Sequence, residues 1–401
     1  MAVYKLNGVV QHYAWGGAQF IPNLLIVDNK AKQPFAELWM GTHVKGPAKV
    51  ETIEGTLLLE TLIAKAPTKK LGKKVAADFN NKLPFLFKVL DVNSMLSIQS
   101  HPTKKAAEIG FAKENLTDIA VTAPNRTYRD DNHKPEVMVA LTDFWLLHGF
   151  KSIDAIREVL AIPEFNALEK VFGAEGDIFQ LYKTIMEMPQ QEVNQLLAPL
   201  WQRLQPDFAA GNLPKTTADY WAAQAFVDYT IDDNFDRGIF SIYLFNLVNI
   251  KKGDGIFQAA GIPHAYLEGV NMELMANSDN VFRGGLTQKH IDVPELLTHL
   301  VFDEITPEIL KGTQISEVEK VFKTPAPDFE LSEINLTKNK IYRATQTTSA
   351  ETLILMEGTA IVNFAGKVLS FSKGESFFVE ANTHYTIEVE NHALLFKAKV
   401  P

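Results

Sequence analysis

The sequence predicts a mainly β protein with an α-helical insertion: two β units plus a helical domain. Three observations carry this prediction. Short apolar or alternating runs broken by turn signals, among them LPFLFKVLDV, MLSIQS and EVMVALTDFWLLHGF, fill the chain from Met1 to about Phe150 and predict strands. Between about Ser152 and Asp236 the texture turns to helical period. KGDGIFQAAGIPHAY, Lys252 to Tyr266, aligns without gaps with KGESFFVEANTHYTI, Lys373 to Ile387, and such a repeat implies one β architecture used twice.

Along the chain, Gln99 and His101 close an apolar run before Pro102. Side chains two apart in a strand point the same way, so both polar groups enter whatever space that face encloses. In the helical region Ile178, Leu181, Tyr182, Ile185 and Met186 form one stripe. Val193, Leu196, Leu197, Leu200, Trp201 and Leu204 form the next, with Pro189 between the two and Pro199 expected to kink the second. Both stripes are expected to be helical core. Strand texture returns at FSIYLFNLVNI, Phe240 to Ile250, and VPELLTHLVFDEI reads as helix. TPAPDF, Thr324 to Phe329, reads as a linker, and short strands follow to Pro401. The expected division is 1–151 with 237–323 as one β unit, 152–236 as the helical insertion, and 324–401 as a second, structural β unit. In the repeat, Tyr385 rather than His384 stands opposite His264, and no Gln-x-His precedes the second copy. His384 is therefore expected in a turn or on the surface.

At ~100–200 residues per domain, 401 residues suggest two or three units. A hydrophobic content of 46% with 22% charged residues is that of an ordinary soluble protein. No apolar run reaches the roughly 18 residues of a membrane span, and MAVYKLNGVV lacks a signal peptide's long apolar segment; a cytoplasmic protein with no membrane partner is expected. Cysteine is absent, so any metal must be held by His, carboxylate or amide oxygen. A net charge of −9 with no basic stripe argues against nucleic acid. A small anionic substrate would need Lys and Arg gathered locally.

Besides Gln99 and His101, HKPEVMVAL offers Glu136, which shares a strand face with Lys134. GIPHAY offers His264 just after a Gly-x-Pro turn. Two imidazoles, one carboxylate and one amide oxygen suit zinc and leave room for water or substrate. Lys88, Lys134 and Arg283 bring positive charge to the same segments. Gly284 and Gly285 beside Arg283 would let backbone approach a ligand closely.

LPFLFKVLDVNSMLSIQSHP, NHKPEVMVAL, GIPHAYLEG and NSDNVFRGGLTQKHIDVPELL, in this order and spacing, resemble the signature segments of the type I mannose-6-phosphate isomerase family. The resemblance runs from about Trp15 to about Phe302 and more loosely through the C-terminal β unit. It implies cupin-like jelly-roll units and one zinc ion per chain, held by Gln99, His101, Glu136 and His264. It places the active-site arginine at Arg283, and other pocket residues at Trp15, Lys88, Ser97, Lys134, Tyr266, Glu273 and Asp279. Of these, Arg283, Lys134 and Glu273 are expected in catalysis, and Trp15, Lys88, Ser97, Tyr266 and Asp279 in substrate binding, with Lys88 and Ser97 toward the phosphate. One departure stands out: Pro263 directly precedes His264, where cupins usually have Pro-x-Gly-x-x-His. The implied activity is interconversion of mannose 6-phosphate and fructose 6-phosphate through a cis-enediol, by a chain expected to be a monomer. The alternatives are a non-catalytic sugar-phosphate-binding cupin and a metal-dependent cupin dioxygenase.

Overall fold

A computed structural model describes residues 2–345 and 347–401. Two large sheets, with every strand pair antiparallel, and a helical layer make up the molecule. The first sheet runs Phe245–Ile250, Phe144–Phe150, His264–Ala276, Phe85–Val92, Glu37–Met40, Val9–Gln11. Ile98–Ser100 and Glu136–Ala140 branch from His264–Ala276 and carry Phe282–Gly285 and Gly255–Gln258 respectively.

The 13-residue strand His264–Ala276 organises the site. Its first half pairs with Phe144–Phe150 and Ile98–Ser100, its second half with Phe85–Val92 and Glu136–Ala140. A bulge lies between Tyr266 and Glu268, and Gly269 takes φ +129°, where an added Cβ would meet the Asp143 carbonyl oxygen at 2.7 Å. Only glycine accepts that turn without strain. The bend throws the two halves into facing walls and encloses an interior.

Period-two alternation then decides which side chains enter that interior. Phe85, Phe87, Val89, Val137, Val139, Met272 and Leu274 pack outward into a core shared with the second sheet. The residues between them, Lys88, Glu136, Met138 and Glu273, lie on the opposite face. Likewise Ala265 and Leu267 pack against the helical layer, leaving His264 and Tyr266 to face inward.

The second sheet runs Glu319–Phe322, Glu330–Thr337, His392–Lys399, Glu351–Phe364, Ser376–Val379 and then Val3–Asn7, Lys49–Thr52 and Gly55–Leu58. Three N-terminal strands therefore belong to the sheet of the C-terminal strands, with Val3 opposite Val379 and Leu6 opposite Ser376. The sheet crosses the boundary expected from sequence between 1–151 and 324–401. The repeat is visible in register: Gly255–Gln258 corresponds to Ser376–Val379, and strands start at both His264 and Tyr385. His384 is exposed just before its strand.

The helices Ile178–Glu187 and Gln190–Ala209 bury the expected stripes, except that Leu196 and Trp201 are only partly covered. Pro199 and Pro206 both stand inside the second helix. Two expectations need correction. The first 150 residues hold five short helices, Phe20–Leu25, Leu59–Ala64, Pro67–Leu71, Lys73–Asp78 and Lys104–Glu114, among their strands. Lys104–Glu114, the longest of them, starts at a Thr103 cap but buries only Ala107 and Gly110, so no apolar stripe marks it. Phe240–Ile250 is not all strand, because Gly238–Leu244 is helical. Every residue of that helix is buried, and a run buried all round shows no period.

Candidate metal centre and active site

His101, Glu136 and His264 converge in the interior, all buried. His101 Nε2 lies 3.5 Å from one oxygen of Glu136 and His264 Nε2 lies 3.4 Å from the other. Each imidazole turns Nδ1 toward a backbone carbonyl, of Asn280 at 2.7 Å for His101 and of Ile262 at 2.9 Å for His264. A carbonyl only accepts, so Nδ1 carries the proton and Nε2 keeps its lone pair. Both Nε2 atoms and Glu136 Oε2 are buried without a hydrogen-bond partner. Three orphaned donor atoms of this kind fit a divalent ion of borderline softness. Burial, then the Lys134 charge, pushes the His101 imidazole well below its usual range despite Glu136. Burial raises Glu136, but Lys134 at 3.2 Å and the two imidazoles outweigh it and hold the carboxyl well below normal.

Gln99 is the register partner of His264 on one side and of Arg283 on the other, so the three share a face. Arg283 is mostly buried and its Nε has no partner. A bulge follows it, and Gly285, at φ +126°, lets Gly238 approach to where a Cβ would stand 2.5 Å from its Cα. Lys88 and Glu273 are register partners, and Lys88 Nζ lies 2.5 Å from Glu273 and 3.5 Å from Glu37. Burial raises the Glu273 carboxyl above its ordinary value, with Lys88 opposing. Tyr266, also buried, has its hydroxyl raised by burial and by the Glu273 charge. Trp15 packs against the cluster that contains Tyr266 and stacks on Tyr13. Ser97, half buried, stands just before Ile98–Ser100. Asp279 pairs with Lys45 at 2.9 Å and His43 at 3.4 Å; burial raises it, but these partners hold it well below normal.

Several residues in the same region escaped sequence reasoning. Arg129 acts on Arg283, and burial followed by Arg283, Lys45 and Arg129 pushes Lys289 below its usual value; these four cations form a basic cluster at one side of the site. Asp130 accepts from the backbone of Asp279 and from the side chains of Ser278 and Asn280, fixing the loop whose Asn280 carbonyl orients His101. Glu37 had a signal, since it alternates with Trp39 in a buried strand and accepts from its indole at 2.5 Å. His148, held down to about 4 by burial, then by His264, is bonded to buried Gln258. The cation cluster and the Asp130 loop had no local signal, because their partners lie far away in the chain.

Residues 3–153 match the model of the phosphomannose isomerase type I catalytic domain. The mannose-6-phosphate isomerase of Salmonella typhimurium is 38% identical over 94% of this chain and 95% of its own length; that of Escherichia coli is 35% identical over 98% of each. A solved zinc-bound mannose 6-phosphate isomerase superposes with a TM-score of 0.87 at 35% identity, covering all of both chains. With likeness over nearly its whole length, in sequence and in structure, the chain belongs to the type I phosphomannose isomerase family.

Proposed function

We propose that the protein interconverts mannose 6-phosphate and fructose 6-phosphate at a zinc-containing site in this interior. The carrying observation is the convergence of His101, Glu136 and His264 with three orphaned donor atoms, beside the buried Lys88–Glu273 pair. The three ligands alone would also serve an iron oxygenase. An acid–base pair enclosed next to them suits proton transfer instead. His101, Glu136 and His264 would hold zinc, with Gln99 supplying a fourth, neutral oxygen. Bound there, the ion would contribute a fixed positive charge that polarises sugar oxygens.

The reaction removes the proton at C2, leaves its electron pair as the C1–C2 double bond of a cis-enediol, and returns a proton to C1. Glu273 is assigned that proton: burial raises its affinity for it, while Lys88 keeps the carboxylate available. Lys88, enclosed by two carboxylates, is poorly placed for the phosphate role expected of it, and we assign it to Glu273 instead. Arg129, Lys45 and Lys289 suit the phosphate, with Ser97 toward it. Arg283, nearest the ligands by register, suits the developing enediolate. Lys134 serves the oxygen-bound proton, Trp15 and Tyr266 the wall of the sugar site, and Asp279 the orientation of Lys45. The units 1–151 with 237–323, 152–236 and 324–401, the first and last joined by the shared sheet, one ion per chain, a monomeric state and a cytoplasmic location complete the reading. No helix among the described residues is long and apolar enough to cross a membrane. A coupled assay of fructose 6-phosphate formation from mannose 6-phosphate, before chelation, after it and after zinc restoration, tests the reading. Absence of turnover in all three states would overturn it.

A further inference from the structure

His148 and Gln258 are buried, polar and unused by the mechanism above. His148 is 5% exposed and Gln258 fully enclosed, and His148 Nδ1 donates to Gln258 Oε1 at 2.8 Å. A buried polar pair is costly unless its bonds are satisfied, so its placement beside the ligands invites explanation. His148 is the register partner of His264 in one wall of the barrel. Gln258 is the register partner of Glu136 in the other. Cross-strand neighbours share a face, so each member of the pair flanks a metal-ligating residue on its own wall. The His148–Gln258 bond therefore crosses the same gap that Glu136 and His264 face each other across, with 3.4 Å between carboxylate and imidazole. The four side chains close a ring: two ligands on one side, a neutral hydrogen bond on the other.

This matters because the ladder does not fix that gap. Glu136 pairs with Met275 at the far end of the long strand from His264, with the Tyr266/Glu268 bulge between, so no backbone hydrogen bond directly joins the two ligand positions. Like a metal's outer-shell hydrogen bonds, a tie between the walls limits how far the ligands separate when the ion is absent.

We infer that His148 and Gln258 are a positioning pair that joins the two walls of the barrel beside the ligands and sets the spacing of Glu136 and His264 for a divalent ion. Gln258 keeps one polar atom outside this tie. Its Nε2 is buried without a partner, and the Tyr266 hydroxyl lies close by, likewise without a bond of proper geometry.

The inference rests on the zinc reading above. It is tested by zinc affinity, measured by competition with a chromophoric chelator, in the wild type, His148→Leu, Gln258→Leu and the double variant. Each single change should weaken zinc binding by about 10–100-fold, the usual effect of losing an outer-shell partner, although no ligand is removed. The double variant should lose no more than the worse single one, because either change already breaks the tie. His148→Gln, which keeps an N–H donor, should recover most of the affinity. A merely structural role would lower the melting temperature of the metal-free protein and leave zinc affinity within about twofold of wild type, and that result overturns the inference. Additive losses in the double variant overturn the pairing. If the leucine variants do not fold, His148→Asn and Gln258→Asn shorten the reach while staying polar and carry the same expectation. A wild type that binds no zinc would overturn the zinc reading and this inference together, whereas wild-type binding with unchanged variants overturns this inference alone.

Discussion

Glu273 is buried with its carboxyl raised, and the Lys88 ammonium at 2.5 Å is the charge that opposes the shift. Lys88→Met removes that charge and leaves the carboxylate facing Glu136 and Glu37, so the proton is held to higher pH. A general base works only when deprotonated. The acid limb of the kcat profile should therefore move upward in pH, and kcat should fall by roughly 100-fold, the scale of a lost acid–base contribution. A pH–rate profile with an unmoved acid limb would remove Glu273 from the base role. For Arg283→Ala, kcat should fall by about 100-fold while KM changes much less, as when a preorganised charge stabiliser is lost. A steep rise in KM at constant kcat would instead make Arg283 a phosphate clamp. At the ligands, His101→Ala and His264→Ala each remove one of two imidazoles, and atomic absorption should find little zinc in either.

Elements hold these residues in place through contacts that span the chain. The carboxylate of Asp236 accepts from the backbone N–H of Gly238 at 2.7 Å, Leu286 at 2.8 Å and Thr287 at 3.1 Å. It thereby ties the start of the Gly238–Leu244 helix to the turn just after Arg283. Asp236→Ala leaves three backbone donors without their acceptor and should cost about 3 kcal/mol in urea unfolding. It should also lower kcat through Arg283, which a change confined to stability would not do. TPAPDF, legible in the sequence as a linker, is packed in place by the structure. Asp328 is buried and pairs with His133 at 2.8 Å, next to Lys134, so this connection is packed against the active-site strand.

Across the whole molecule, the shared sheet joins the two β units: Val3–Asn7 lies between Ser376–Val379 and Lys49–Thr52. Calorimetry should show the C-terminal strands melting together with the N-terminal ones rather than as a separate transition. The C-terminal barrel encloses its own buried charges. Lys397 lies 2.6 Å from Glu319 and 3.8 Å from Glu351, and donates to Tyr342 at 2.7 Å, while Tyr385 donates to Glu351 at 2.5 Å. Lys397→Met strands two carboxylates in that interior and should destabilise by about 3–5 kcal/mol. Zinc content per folded chain should stay that of wild type, because the ligands lie in the other barrel. His384→Ala should change neither zinc content nor turnover, since His384 is an exposed turn residue.

The sequence by itself determined the donors and the periods. With no cysteine, a metal had to rest on His, carboxylate or amide oxygen, the family resemblance singled out Gln99, His101, Glu136 and His264, and the run HKPEVMVAL already put Lys134 and Glu136 on one face. The stripes of Ile178–Glu187 and Gln190–Ala209 were equally local, because helical period is written within a few turns. Buried helices such as Gly238–Leu244, covered on every side, carried no such mark. Tertiary structure alone decided which faces meet. Glu136 reaches His264 only because the long strand bends at its bulge and Gly269, and the cations Lys45, Arg129, Arg283 and Lys289 gather only once distant loops are packed. Register between distant strands is a property of the closed sheet, set by packing on both faces at once, and no local window of sequence contains it.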